Sequence, residues 1–154
     1  MNTANTQSRP TEAQKSAATL LESALQAHDP QLAQDALNAT YRAGLHRVHT
    51  SALVALAQAP WHFSHEDVVH ALQELRSPET VGILEKTAFS VHEYLGYDEF
   101  FGLARKCTCA LADVGTTEGQ QALERIANCD NPVIAGYAKK RLGNWQKEMH
   151  RKGV

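Results

Sequence analysis

The chain of 154 residues predicts an all-α protein, a short solenoid of stacked antiparallel helix pairs with about eight helices. Three observations predict it. Apolar residues recur at spacings of three and four, the period of a buried helix face. No stretch alternates apolar and polar residues for long enough to argue for a half-buried strand. Part of the chain also matches another part when slid by 39 residues, the mark of a repeat architecture.

The elements follow in order. Residues 12–27 carry Ala17, Leu20, Leu21, Ala24 and Leu25, and Asp29-Pro30 ends that helix because proline disfavours helical geometry in the residue before it. Residues 31–43 present Leu32, Ala36, Leu37 and Tyr41, and Gly44 interrupts. A helix over 46–58 shows Val48, Ala52 and Leu56, and APWHF (59–63) connects it to a helix over 65–76 with Val68, Val69, Leu72 and Leu75. Ser77-Pro78 opens 79–90, with Ile83, Leu84 and Ala88. The cleanest stripe spans 99–114: Phe100, Leu103, Ala104, Cys107, Ala110, Leu111 and Val114. GTT (115–117) is a turn, and 118–128 packs Ala122, Leu123 and Ile126. Pro132 stands at the first turn of a last helix, about 133–149, where a missing N–H costs nothing.

Composition narrows the classes. Hydrophobic content of 43% and charged content of 21% are ordinary for a soluble globular chain, long enough for one domain with a real core. A net charge of −2 gives no global reason to expect nucleic acid or an anionic membrane as partner. No apolar run approaches the roughly 18–20 residues of a membrane span. MNTANTQSRP lacks a basic start followed by an apolar stretch, so residues 1–10 read as a flexible tail rather than a secretory signal, and 11–150 as a single helical-repeat domain. Cys107 and Cys109 are two apart and so point about 200° from each other on a helix. With Cys129 they make an odd number without metal-like spacing, which fits reduced thiols in a cytoplasmic protein and no cofactor.

The repeat is ungapped. ALQELRSPETVGILEKTAFS (71–90) lies on ALADVGTTEGQQALERIANC (110–129), with Ala71 on Ala110, Leu72 on Leu111, Glu79 on Glu118, Leu84 on Leu123, Glu85 on Glu124 and Ala88 on Ala127. Each copy runs from the end of one helix through a short turn into the next. Two amphipathic helices cannot hide their apolar stripes alone, so successive units must stack.

With these residues in view, 109–142 resembles a HEAT repeat of the bacterial, lyase-like kind. Ala110-Leu111 stands at the end of one helix, Gly115-Thr116 in the turn, Ala122-Leu123 in the next helix and Asn131-Pro132 at the start of the third. The likeness is specific over about 65–148 and rests on helix length and period alone over 12–58. It departs at Val133-Ile134, where the family usually has Val-Arg. The resemblance implies a right-handed solenoid. The stretch around WHFSHED and YLGYDEFFGLARKC is similar to small bacterial HEAT-repeat proteins of undefined activity, and some HEAT-type proteins of this size serve as immunity proteins that neutralise a partner toxin.

His65-Glu66 and His92-Glu93 raise a second possibility, because HEAT enzymes of the deoxyhypusine hydroxylase family hold two irons with four such pairs at equivalent repeat positions. Here the pairs are 27 apart while the repeat is 39, and the position where His65 would recur holds Ala104. Ser64-His65-Glu66-Asp67 instead fits a helix start, with Ser64 as N-cap, acids in the first turn, and Phe63 and Val68 at the positions of a hydrophobic staple. The second pair falls in an extended linker. The remaining histidines, including His46 and His49 on one predicted helix edge, read as scattered and solvated.

Two surfaces remain. The linker 91–99 is longer than its counterpart at 129–132, and insertions in solenoids fall on loops that often bind. Its Tyr94, Tyr97, Asp98 and Glu99, with Trp61, His62, His65 and Glu66 in and after the other long connector, form the candidate partner-binding set. Local packing of Tyr94 and Trp61 is the competing reading. A basic cluster closes the chain at Lys139, Lys140, Arg141, Lys147, Arg151 and Lys152. It reads first as complementing a helix C-terminus and second as a phosphate contact. The expectation is a non-catalytic protein-binding scaffold, in its sharpest form an immunity protein that occludes a toxin. The alternatives are a metal-dependent HEAT-type enzyme using the His-Glu pairs and a nucleic-acid-binding HEAT-like protein.

Overall fold

Small polar residues and prolines mark where the helices begin. In the computed structural model, which describes residues 8–151, Thr11, Asp29, Thr116 and Asn131 each accept a backbone N–H at the first turn of a helix. Pro30 and Pro132 occupy the first helical position behind two of these caps. The protein is all-α: no strand occurs among the described residues, and about eight helices fit, with nine counted there. They are α1 (Glu12–Ala27), α2 (Pro30–Ala43), α3 (Thr50–Gln58), α4 (His65–Leu75), α5 (Val81–Ala88), α6 (Gly102–Val114), α7 (Thr117–Ala127), α8 (Pro132–Gly143) and α9 (Trp145–Arg151). The ninth arises because Asn144 breaks the last expected helix, its N–H bonding back to Lys140 and Leu142.

The chain divides into two units, residues 1–75 and 76–154. In the first, α1 packs on α2 and α3, α2 on α4, and α3 on α4. Its core is Leu21, Leu37, Leu53, Leu56 and Leu72, all fully buried. In the second, α5 packs on α6 and α7, α6 on α7 and α8, and α7 on α8, which sorts α5 and α7 into one layer and α6 and α8 into another. Leu84, Leu111, Leu123 and Ile126 fill that core. Arg125 makes a bidentate ion pair across one layer, its Nε 2.7 Å and its Nη2 2.9 Å from the carboxylate of Glu85.

The 39-residue repeat extends to the backbone. Helices α4 and α6 end at Leu75 and Val114, α5 and α7 at Ala88 and Ala127, both pairs in the repeat register. The residue after α4 and after α6 is left-handed in each copy, Arg76 at φ 51° and Gly115 at φ 72°. Glycine suits that conformation, whereas the Cβ of arginine crowds the following carbonyl.

Several expectations change. The tail expected over 1–10 lies outside the described residues for its first seven positions. Ser8 beyond them is engaged, its carbonyl accepting from His46 Nε2. Arg47–His49 forms a separate 3-10 turn before α3, so His46 and His49 do not share a helix edge. The linker after α5 is not fully extended: Glu93–Leu95 makes a 3-10 turn. Helix α6 starts at Gly102, three residues later than its apolar stripe suggested, and Phe100 is 75% exposed rather than buried. Phe63 is 65% exposed while Val68 is buried, so the proposed staple does not close over the start of α4.

Candidate functional site

The turn that opens α6 is built on one carboxylate. Asp98 Oδ1 accepts Phe100 N–H at 2.9 Å and its Oδ2 accepts Gly102 N–H at 2.8 Å. Both oxygens are occupied in holding the turn, so Asp98 is a capping residue rather than a free acidic contact. Tyr137 on α8 adds a tie by donating its hydroxyl proton to the Phe100 carbonyl. Between these anchors Phe101 sits at φ 52°, a left-handed conformation that is a genuine outlier for a bulky residue. Such strain persists only where its surroundings over-determine it.

Phe101 forms part of the wall of a groove of about 540 Å³ beneath the 88–102 segment, completed by Leu95, Leu103 and Ile134. The lining is mainly apolar and contains no lysine or arginine. Large apolar side chains stand out around it. Val91 is 93% exposed and Tyr97 83%, and Phe89 and Phe101 are also exposed. His92 lines the groove with its Nε2 3.2 Å from Ser90 Oγ, and partial burial holds its pKa below the ordinary histidine value. Tyr94 is half-buried with its ring 6.0 Å from that of His92, while Glu99 is exposed on the groove.

The other half of the candidate set behaves differently. Trp61 stacks on His28 with ring centroids 5.2 Å apart and planes 8° from parallel, the local packing weighed against a contact role. His62 and His65 are fully buried and stack on each other at 4.0 Å, so they present no surface to a partner. Glu66 lies half-buried in the first turn of α4, beside the helix dipole. Ser64 begins that helix as expected in backbone terms, its carbonyl accepting from Val68, but its hydroxyl donates to Gln34 Oε1 at 2.8 Å.

The histidines are the main surprise. His46, His49, His62 and His65 are all buried, not solvated. Their partners fix their chemistry. His62 Nε2 faces the Leu56 carbonyl at 2.7 Å and its Nδ1 accepts Ser64 N–H at 3.0 Å. His49 Nε2 faces the Gln14 carbonyl at 2.9 Å, and its Nδ1 accepts His46 N–H at 3.1 Å. His46 Nδ1 accepts Val48 N–H, and its Nε2 meets Ser8 O. A carbonyl only accepts and an amide only donates, so each of these three rings is the neutral tautomer with its proton on Nε2. His65 Nε2 likewise faces the Ala59 carbonyl at 2.6 Å. These nitrogens are committed to backbone atoms, and in His46, His49 and His62 protonating Nδ1 would break a bond to an amide. Burial, the largest cause, lowers the His49 pKa, with His46 adding to it and the Gln14 bond opposing it.

No cluster of three or more His, Cys, Asp or Glu able to hold a metal ion occurs among the described residues. Cys107 is fully buried on α6, and burial pushes its thiol pKa far above the ordinary value, as for an apolar filler. No described helix is long and apolar enough to cross a membrane. Of the basic cluster, Lys140 and Arg141 line a second cavity with Arg105, a residue the sequence did not connect to them. Lys139 and Lys147 are exposed and line neither cavity, and Lys152 lies outside the described residues.

No family model, curated protein or solved structure matches the chain.

Proposed function

We propose that this protein is a non-catalytic protein-binding module of the HEAT-like kind, which takes an apolar side chain of a partner into the groove under the 88–102 segment. The observation that carries the reading is the run of exposed large apolar residues on a mainly apolar groove, above all Val91 in its lining and Tyr97 between the lining residues Gly96 and Asp98. Hydrophobic surface of this sort mostly marks contact sites, and aromatic side chains are the usual anchors of such contacts. The groove contributes acidic Glu99 and no cation, so the fitting partner segment is an apolar residue flanked by lysine or arginine. The helix ends and left-handed residues in 39-residue register support the HEAT-like part of the reading. In its sharpest form the partner is a toxin enzyme blocked by steric occlusion, and the protein acts as its immunity protein.

The test uses two arrays of short peptides with one central leucine or phenylalanine, flanked by lysine and arginine in one and by aspartate and glutamate in the other. The basic array is expected to bind, and the double variant Val91→Ser, Tyr97→Ala is expected to lose that binding with its helical circular dichroism intact. Equal binding of both arrays, or a variant that binds as well as the parent, rejects the reading.

A further inference from the structure

The second unit holds another cavity of about 510 Å³, with a chemistry opposite to that of the groove. It shares Asp98 and Gly102 with the groove and is otherwise lined by Phe100 and by residues of α6 and α8. Arg105 and Cys109 stand one helical turn apart on α6; Tyr137, Lys140 and Arg141 share one face of α8 at spacings of three and four. Because α6 packs on α8, residues far apart in the chain converge, and three cations meet around one space. The one carboxylate in the lining, Asp98, has both oxygens engaged by the amides of Phe100 and Gly102. Among the described residues no ion pair forms with Arg105 or Lys140. Phe100 also lines the cavity with most of its ring in solvent.

This combination has a specific use. A guanidinium and an ammonium together suit a phosphate, the first as a planar fork and the second as a compact point charge. An exposed aromatic face beside them stacks planar rings whatever their hydrogen-bonding pattern. The volume lies in the range of small-molecule sites, about 300–1,000 Å³. A nucleic-acid duplex would need cations spread along a track, whereas here they converge on one cavity in a chain of net charge −2. We propose that the cavity between α6 and α8 binds a small phosphate monoester carrying a planar ring, a nucleoside monophosphate in chemical class, with its phosphate on Arg105 and Lys140 and its ring on Phe100. This site is independent of the apolar groove and stands whether or not the groove binds a partner.

The probes are adenosine monophosphate and inorganic phosphate, each titrated into the full chain and followed by amide chemical shifts. Both are expected to saturate, with shifts confined to residues 100–109 and 137–141. Arg105→Gln and Lys140→Gln should each weaken both probes by about tenfold, the scale of one charged hydrogen bond. Phe100→Ala should weaken the nucleotide and leave inorganic phosphate unchanged. Lys147→Gln, an exposed cation that does not line the cavity, should change neither. The proposal is overturned by shifts that do not saturate in the millimolar range, by a Lys147 variant as weak as the Lys140 variant, or by Phe100→Ala affecting both probes equally.

Discussion

The two units hide polar groups in different ways. Buried polar side chains in the first are Gln14, Thr40, His46, His49, Thr50, His62, Ser64 and His65; among the described residues of the second they are only Thr80, Thr87 and Thr108. The cause lies in the connectors. The segments 44–49 and 59–64 are partly tucked inside, and buried backbone must find hydrogen-bond partners. An imidazole ring reaches a carbonyl with one nitrogen and an amide with the other, so one side chain engages two backbone groups at once. In the second unit the connectors stay near the surface, and short caps suffice: Asp98, Thr116 and Asn131.

The strongest way to break this contrast is to remove a ring. His62→Ala leaves the Ser64 amide without its partner and the Leu56 carbonyl with the Ala59 N–H alone. At about 1–3 kcal/mol for the stranded amide and about 1 kcal/mol for the lost carbonyl bond, the expected loss is about 2–4 kcal/mol. Thr108→Ala in the second unit removes a bond to a carbonyl of the same helix and should cost about 1 kcal/mol. Urea unfolding of the two variants gives the comparison, and equal losses would show that the buried rings carry no special weight.

Acidification should separate the units next. The His49 ring titrates near 6.5 when unfolded and lower when folded. The unfolded chain therefore takes up the proton first. The contribution of His49 is complete above about pH 6.5 and is lost as pH falls through that value toward the folded pKa. His92 is displaced in the same direction, but it is half-exposed, whereas the His49 ring is fully buried and bonds to backbone of two separate segments. Hydrogen exchange from about pH 7.5 to about pH 5 should find α1 and α3 losing protection before α6 and α7. Simultaneous loss in both units would contradict the contrast.

The smallest effect compares the two repeat copies. Arg76→Gly places in the first turn the residue type that Gly115 supplies in the second. It should stabilise by about 1 kcal/mol, the scale of a left-handed penalty. A higher thermal midpoint checks it, and a lower one would mean that the arginine side chain contributes more than its backbone costs.

Much of the helical frame was legible in advance because its signals are local. Asp29-Pro30 and Asn131-Pro132 cap and start helices wherever they fall, and the 39-residue offset holds to the last residue of four helices. Phe100 was misplaced because periodicity counts it into the α6 stripe, whereas the Asp98 cap and left-handed Phe101 start the helix two residues later. An aspartate four residues before a helical glycine was the available sign. The burial of His62 and His65 was not legible, since histidine is at home in water and in cores alike, and only the fold shows which carbonyls await a donor. Arg105 meets Lys140 through α6 and α8 packing, a contact that no local pattern announces.

The ring latches also bear on synthesis. Every atom bonded to His46, His49, His62 and His65 in these contacts lies between Ser8 and Ser64. A nascent chain released from the ribosome tunnel only as far as Leu75 already carries every donor and acceptor of these contacts. The order of translation thus favours closing the histidine-bearing half before the groove and the cationic cavity have emerged.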